Sequence, residues 1–463
     1  MLLAAPIAGA CAASAAEQTP MTLQEAIAAA LRQSPQARSA RYAREAAKSQ
    51  ADHQRPGIRP TLDVSASETL QGPEVTFPGP GGTEATFLQE RYARLDLTLV
   101  QPIYKPGLEA AKEMYNARVG VAESDYRKGL VDVALAVNRA YLDVLHAENG
   151  IKLAQDGLDA ALRYRALVQK QVSAGLGRPV DAQLVEAQVA EAQEGLSQAL
   201  SALALARMAF NRAIGAPLEA PVTLVPVSRL PNVPESPDSA VVVALHNRPE
   251  LTGLEQNLRV ANAGISLAHT QSQPALDVRA EYSEQTPSAL IHEHYYAALL
   301  EVRWSILDAG KSVLDEREAR ANHLRVEADL QSTREAIRLD VMQAWQRMRE
   351  AQGRIGLSQK QIDGLKAALA VAERAYEVGR GTLTDVHDSQ RELRAAQMRE
   401  LQAEYDLHSA NTEFIYAQGV GLADLKMFFP APLPRKLESE MQKTHTGAPA
   451  SGPRNEPAAE AKP

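Results

Sequence analysis

Residues 91–158 read RYARLDLTLVQPIYKPGLEAAKEMYNARVGVAESDYRKGLVDVALAVNRAYLDVLHAENGIKLAQDGL, and within them the apolar period changes from two to seven. From Arg91 to Tyr104, Leu95, Leu97, Leu99 and Ile103 alternate with Arg94, Asp96 and Thr98, while Gln101 falls on the apolar side. Period two marks a strand with one apolar face. Beyond Lys105-Pro106-Gly107, Leu130, Val137, Val144, Ile151 and Leu158 recur every seven residues, with Val133, Ala140, Ala147, Ala154 and Ala161 as a second series. A sustained seven-residue repeat gives a left-handed coiled coil, and alanine in one seam lets helices approach closely. The predicted helix covers 108–172. At about 1.5 Å per residue it is roughly 100 Å long, too long for an ordinary compact core. Heptads alone describe a plain coiled coil, so the strand that feeds them carries more information.

The same two-part pattern occurs again. Leu31-Arg32-Gln33-Ser34-Pro35 resembles Leu245-His246-Asn247-Arg248-Pro249, and Pro60-Thr61-Leu62-Asp63-Val64 resembles Pro274-Ala275-Leu276-Asp277-Val278, both at an offset of 214. Ala140-Tyr141 matches Ala344-Trp345, Gly175-x-Gly177 matches Gly379-x-Gly381, and Phe210 and Gly215 match Phe414 and Gly419, all at an offset of 204. A longer loop in the first half, near Gly72 to Gln89, explains the smaller second offset. The chain therefore divides into a first repeat at 17–215, a Pro-rich linker at 216–238, a second repeat at 239–419 and a Pro-, Ala-, Lys- and Glu-rich tail at 420–463. The second long helix, 311–377, carries Val341, Met348, Ile355, Ile362 and Leu369 beside Ile337, Ala344, Ala351 and Leu365. Shorter helical stretches fall at 22–54, 178–214, 238–270 and 382–418. Laid end to end, 22–54 and 178–214 match one long helix in length.

Four segments alternate with period two: 59–71, 91–104, 274–284 and 294–307. In the last, Tyr296, Ala298, Leu300, Val302, Trp304 and Ile306 alternate with Glu301, Arg303 and Ser305. A half-buried soluble sheet produces this pattern, and so does a membrane strand of about ten residues with lipid on one side. Tyr296 and Trp304 stand where aromatic belts sit. Four strands cannot close a membrane barrel, whose smallest form has about eight, and an open edge is not tolerated in lipid. If the segments span a membrane, several chains share one barrel, and three chains supply twelve strands.

The 463-residue composition excludes other classes. One cysteine, Cys11, rules out a disulfide scaffold, and a net charge of −8 argues against a nucleic-acid-coating protein. Mean hydropathy is −0.27, and no apolar run of about 18 residues follows the N-terminus, which argues against a helical transporter. Residues 1–16, MLLAAPIAGACAASAA, read as an atypical signal peptide, with Ala13-Ser14-Ala15 as the small-residue cleavage site and no positive n-region. Ala8-Gly9-Ala10 before Cys11 is a poor lipoprotein box. No phosphate loop, nucleophile elbow, HExxH motif or paired cysteine is present. We therefore expect no enzyme, no catalytic residue and no cofactor. His292-x-His294 supplies two potential ligands, which do not make a metal site.

Gln101-Pro102-Ile103-Tyr104-Lys105-Pro106-Gly107 and Trp304-Ser305-Ile306-Leu307-Asp308-Ala309-Gly310 close the strands. Val172-Ser173-Ala174-Gly175-Leu176-Gly177-Arg178-Pro179-Val180-Asp181 and Tyr376-Glu377-Val378-Gly379-Arg380-Gly381-Thr382-Leu383-Thr384-Asp385-Val386 reverse the long helices. In this order, in both repeats, these motifs resemble the TolC-type outer membrane efflux proteins over about 20–425. The resemblance implies a mainly α chain with a small β part. It further implies duplicated coiled-coil hairpins and a homotrimer, with a twelve-stranded barrel in outer-membrane lipid and a long helical barrel in the periplasm. The linker and the stretch after Gly419 would form an equatorial collar.

The resemblance also implies a passive channel for efflux or type I secretion, partnered by a periplasmic adaptor and an inner-membrane pump. The pump would be of resistance-nodulation-division, major-facilitator or ABC type. Ser173, Gly175, Leu176, Gly177, Gly379, Arg380, Gly381 and Thr382 match the adaptor-binding tips; the glycines equally serve to close a turn. Asp385 and Asp388, three residues apart on one helix face, match the ring at the periplasmic gate. Tyr376, with Asp181 as partner, matches a link between coiled coils in the closed state. The prototype has Arg where Gly381 stands, with Arg380 adjacent here. A soluble coiled-coil scaffold accounts for the heptads but not the strands, and a periplasmic adaptor would show one helical hairpin rather than two.

Overall fold

A computed structural model describes residues 20–53, 57–73, 75–78, 81, 84–88, 90–175, 177–227, 230–286 and 294–419. The signal-peptide reading, Cys11, His292, Leu176 and the 420–463 tail lie outside these residues. Two compact units are formed, one from 41–126 and 249–334 and the other from the remaining segments. None of the described helices is long and apolar enough to cross a membrane.

In the first unit, strands β1 (Thr61–Leu70), β4 (Arg91–Tyr104), β5 (Ala275–Thr286) and β6 (His294–Arg303) form one antiparallel sheet in the order β1-β4-β5-β6. The register gathers the apolar side chains into rows across all four strands. Val64 pairs with Leu97, Leu97 with Tyr282 and Tyr282 with Tyr296; Leu62 pairs with Leu99, Leu99 with Ala280 and Ala280 with Ala298. Much of this face is bare in the single chain: Leu62 is 64% exposed, Tyr296 84% and Leu300 69%. The opposite face is polar. Ser283 Oγ donates to Asp96 at 2.6 Å and Arg94 Nε at 2.8 Å. Arg279 lies 3.5 Å from Glu281 and 3.6 Å from Glu301, which also binds Arg303 at 3.0 Å.

The strand expectations need two corrections. The loop after Gly72 carries its own small hairpin, β2 (Val75–Pro78) with β3 (Glu84–Leu88). The last strand stops at Arg303 instead of reaching 307. Arg303 pairs with Ala275, the first residue of β5 after Pro274, and proline has no N–H to continue a ladder. Trp304 therefore leaves the sheet, and its indole donates to the Ser272 carbonyl at 2.9 Å.

The long helices are α3 (Leu108–Ser173) and α7 (Lys311–Glu377), and α4 (Pro179–Ile214) and α8 (Leu383–Ala417) return from them. Heptad positions face inward: Val137, Val144, Val341, Met348 and Ala351 are fully buried. The shorter stretches are not single helices. Residues 22–54 split into α1 (Leu23–Gln33) and α2 (Pro35–His53), and 238–270 into α5 (Asp238–Asn247) and α6 (Pro249–Thr270). Ser34 (φ −63°, ψ 143°) and Arg248 (φ −66°, ψ 123°) are extended, as sterics require before proline. α1 consequently packs on α4 through Leu23, Ile27, Leu203 and Phe210. Only α2 starts at the end of α4, where a side chain on Gly215 would lie 2.9 Å from the Gln33 carbonyl. Gly419 meets Arg248 in the same way.

The linker is tied down by two aromatic donors that stand at matched positions of the two long helices. Tyr141, edge-on to Phe210, places its hydroxyl 2.7 Å from the Val225 carbonyl and 3.1 Å from that of Met21. Burial pushes its pKa up to about 12. Trp345 Nε1 donates to the Pro234 carbonyl at 2.8 Å. Asn211 adds bonds to the Leu218 and Ala220 carbonyls, and Met21 pairs with Leu224 in a parallel bridge.

Tyr141→Phe keeps the ring and removes the donor from a site that is 1% exposed. It should lower stability by about 1–2 kcal/mol, read as an earlier thermal transition of detergent-solubilised protein. An unchanged transition would mean the hydroxyl is not needed to hold the linker.

Candidate functional site

Both helix reversals use the same pair of glycines for two different reasons. Gly175 (φ +74°) and Gly379 (φ +71°) adopt the left-handed conformation that ends a helix, each with open space where a side chain would stand. Gly177 and Gly381 have ordinary φ but no room. A Cβ on Gly177 would lie 2.9 Å from Val172 Cγ2 and 3.0 Å from the Val172 nitrogen, and one on Gly381 would lie 3.1 Å from Ala375 Cβ and the Tyr376 nitrogen. The orphan carbonyls of each long helix are satisfied within the turn: Gly177 donates to Gln171 at 3.1 Å, and Arg380 and Gly381 donate to Ala375 at 2.8 and 2.9 Å. Ser173 Oγ closes on the Lys170 carbonyl at 2.9 Å.

The returning helices are started differently. Pro179 opens α4 behind Arg178, whose guanidinium reaches forward to Asp181 at 3.0 and 3.3 Å. Thr382 caps α8 through a reciprocal box with Asp385: the Thr382 amide and hydroxyl donate to the carboxylate at 2.9 and 2.7 Å, and the Asp385 amide donates to the hydroxyl at 3.2 Å. These donors hold the Asp385 carboxyl below the usual carboxylate range. Asp385 and Asp388 are both exposed, so the structure brings them to one accessible helix face and gives Asp385 a second task as a cap.

Tyr376 packs with Val168, Val185 and Leu383. Burial raises its pKa, the nearby Asp181 raises it further and Arg178 opposes. Asp181 itself is buried and held by Arg178. The expected Tyr376–Asp181 pair is thus a close electrostatic neighbourhood in which Arg178 binds the carboxylate. The i, i+3 spacing of Arg178 and Asp181 was the available signal for it.

Two further groups were not singled out from sequence. Tyr164 of α3 donates to Glu373 of α7, and burial followed by that carboxylate raises the phenol's pKa. His387 sits half-buried, with Nε2 3.8 Å from Glu191 and Nδ1 3.8 Å from Asp388. No cluster of three or more metal-binding side chains occurs among the described residues.

The outer membrane efflux protein family model matches residues 26–216 and 240–419. The chain belongs to this family, whose place is the outer membrane. Among its relatives is the outer membrane efflux protein BepC of Brucella suis, 22% identical over 290 residues, or 62% of each chain. Another is the pyoverdine export outer membrane protein OpmQ of Pseudomonas aeruginosa, 23% identical over 325 residues, 67% of this chain and 66% of that one. The chain thus spans a little under two thirds of the length of these relatives. The Campylobacter jejuni CmeC outer membrane channel superposes with a TM-score of 0.73 at 15% identity, over 91% of this chain and 89% of that one. The shared fold is mainly helical with a small sheet part.

The two glycine roles separate experimentally. Gly379→Asn should be tolerated better than Gly379→Val, because Asn visits the left-handed region and a β-branched residue does not. Gly381→Ala should disturb the tip through contact alone. Faster limited proteolysis at 376–384 reads the effect, and equal cleavage of Gly379→Asn and Gly379→Val would refute the conformational argument.

Proposed function

We propose that this chain is the outer-membrane exit duct of a tripartite efflux or type I secretion system, assembled as a homotrimer. One observation carries the reading: the four-stranded sheet leaves both edges, β1 and β6, without a strand partner among the described residues, and exposes rows of apolar side chains on one face. Lipid accepts the apolar face but not the open edges. Three copies joined β6 to β1 close a twelve-stranded barrel with the charged face inside. A soluble scaffold would leave these rows against water.

In this reading the duct is a duplicated chain. The repeats are 17–215 and 239–419, with 216–238 and the stretch after Gly419 at its equator, behind an atypical signal peptide at 1–16. It conducts passively and works with a periplasmic adaptor and an inner-membrane pump of resistance-nodulation-division, major-facilitator or ABC type. The adaptor meets the tips at Ser173, Gly175, Leu176, Gly177, Gly379, Arg380, Gly381 and Thr382. Support comes from the accessible, turn-closed geometry of both reversals, with Arg178 and Arg380 exposed on them. Asp385 and Asp388 from three chains form a ring of carboxylates at the periplasmic aperture. Tyr376, Asp181 and Arg178 hold neighbouring coiled coils together in the closed state.

The gate assignment is tested by Asp385→Asn with Asp388→Asn, which removes charge and leaves an oxygen to cap α8. In planar bilayers the double variant should conduct more and lose block by multivalent cations, and unchanged block would remove the assignment. The duct itself is tested by fractionation: a heat-modifiable trimer in the outer membrane is expected, and recovery wholly in the soluble fraction would overturn it.

A further inference from the structure

Beneath the linker, α3 and α8 border a partly open cavity of about 110 Å³ lined by His146, Glu404, Tyr405 and His408, with Pro226 and Val227 of the linker as part of its wall. The His146 and Tyr405 rings pack across the helix seam with centroids 4.8 Å apart. His146 Nδ1 is sealed from solvent and has no hydrogen-bond partner. The carboxylate best placed to answer a charge on His146 is Asp143, one turn back on α3, and it is already engaged by the Tyr405 hydroxyl at 2.5 Å.

The other charged groups around the cavity are committed or of little help. Asp406 is bound by Arg354 of α7 at 2.6 Å and by Gln402 at 2.8 Å. Glu148 is bound by Arg207 of α4 at 3.1 Å. Lys152 adds positive charge to the lining, and Pro226 and Val227 bring no titratable group. Glu404 is pushed toward its neutral form by burial and then by Glu400. A proton on either imidazole therefore enters a site organised around neutral rings.

We propose that His146 and His408 form an acid-responsive device that loosens the α3–α8 seam and the linker above it. Burial is the first cause that lowers both imidazole pKa values; Asp143 and Asp406 oppose it at His146 and nothing opposes it at His408. The sign follows. A histidine whose pKa is depressed in the closed form contributes fully above the ordinary imidazole value of about 6.5. That contribution is lost as pH falls from there toward the depressed value. Over this window, opening that exposes one histidine to water becomes up to about tenfold more favourable per pH unit.

Hydrogen exchange of the detergent-solubilised full chain at pH 7.5 and 5.5, corrected for intrinsic rates, tests the device. Excess exchange at pH 5.5 is expected in 140–150, 401–410 and 222–227, and it should be absent in H146F/H408L. A wild type with no excess, or a double variant with the same excess, overturns the proposal. If the double variant does not assemble, Tyr405→Phe serves instead. Removing the phenol releases Asp143 to stabilise charged His146, so the pH at which exchange rises should shift; an unshifted midpoint overturns the proposal.

Discussion

Backbone groups along β1 and β6 that no strand among the described residues satisfies set the terms for the rest of the molecule. In water such an edge is merely reactive. In hydrocarbon each open N–H or C=O costs several kcal/mol, so a sheet must close or stay out. Four strands in the order β1-β4-β5-β6 are too few to close alone. The chain also carries exposed apolar rows that lipid would accept. Satisfying one feature without the other gives either an aggregating soluble protein or a barrel with open seams. In the proposed trimer, closure between copies answers both, so that assembly and membrane residence would be one property.

Punctuation by proline and glycine sets where that architecture bends. Pro35 and Pro249 force Ser34 and Arg248 out of the helix, and each break receives the glycine-capped end of a returning helix, Gly215 at the first and Gly419 at the second. A side chain at either glycine would strike backbone, so break and cap fit each other. The tips repeat the logic, with one glycine for its left-handed φ and one for lack of space. These are local constraints, and they let heptad packing run uninterrupted along α3 and α7.

The large pattern was legible because it is written in periods. Alternation located the strands, and the register shows why it worked: Leu62, Leu99, Ala280 and Ala298 fall on one row. Heptads located α3 and α7, whose seam residues Val144 and Met348 are buried. The Leu31–Pro35 motif served as a mark of repetition, yet its proline also announced a helix break. Tyr141 and Trp345 were likewise matched as repeat positions, although their hydrogen bonds to the linker lie in the fold. At the candidate site, the glycines and the exposed Asp388 were readable from spacing. The commitment of Asp385 to capping was available in Thr382-x-x-Asp385, and that of Asp181 to Arg178 in their i, i+3 spacing. Tyr405 meeting Asp143 across 262 residues had no local signal, because the contact exists only after two distant helices pack.

That distant contact also shows how polar groups are distributed in a molecule built mostly of alanine-seamed helices. Close packing leaves little room, and several of the larger polar side chains that enter the interior take a partner from another segment. Tyr141 finds the Val225 carbonyl, Trp345 finds Pro234 and Tyr405 finds Asp143. Each such bond crosses between elements far apart in sequence and fixes their register, which the uniform apolar seam does not specify by itself. His146 has no equivalent partner on Nδ1, and it lies where the linker closes over the seam. The polar interior thus fixes the register of the helices, and His146 Nδ1, one of two imidazole nitrogens it leaves unanswered among the described residues, marks a place where a change of charge would act on that arrangement.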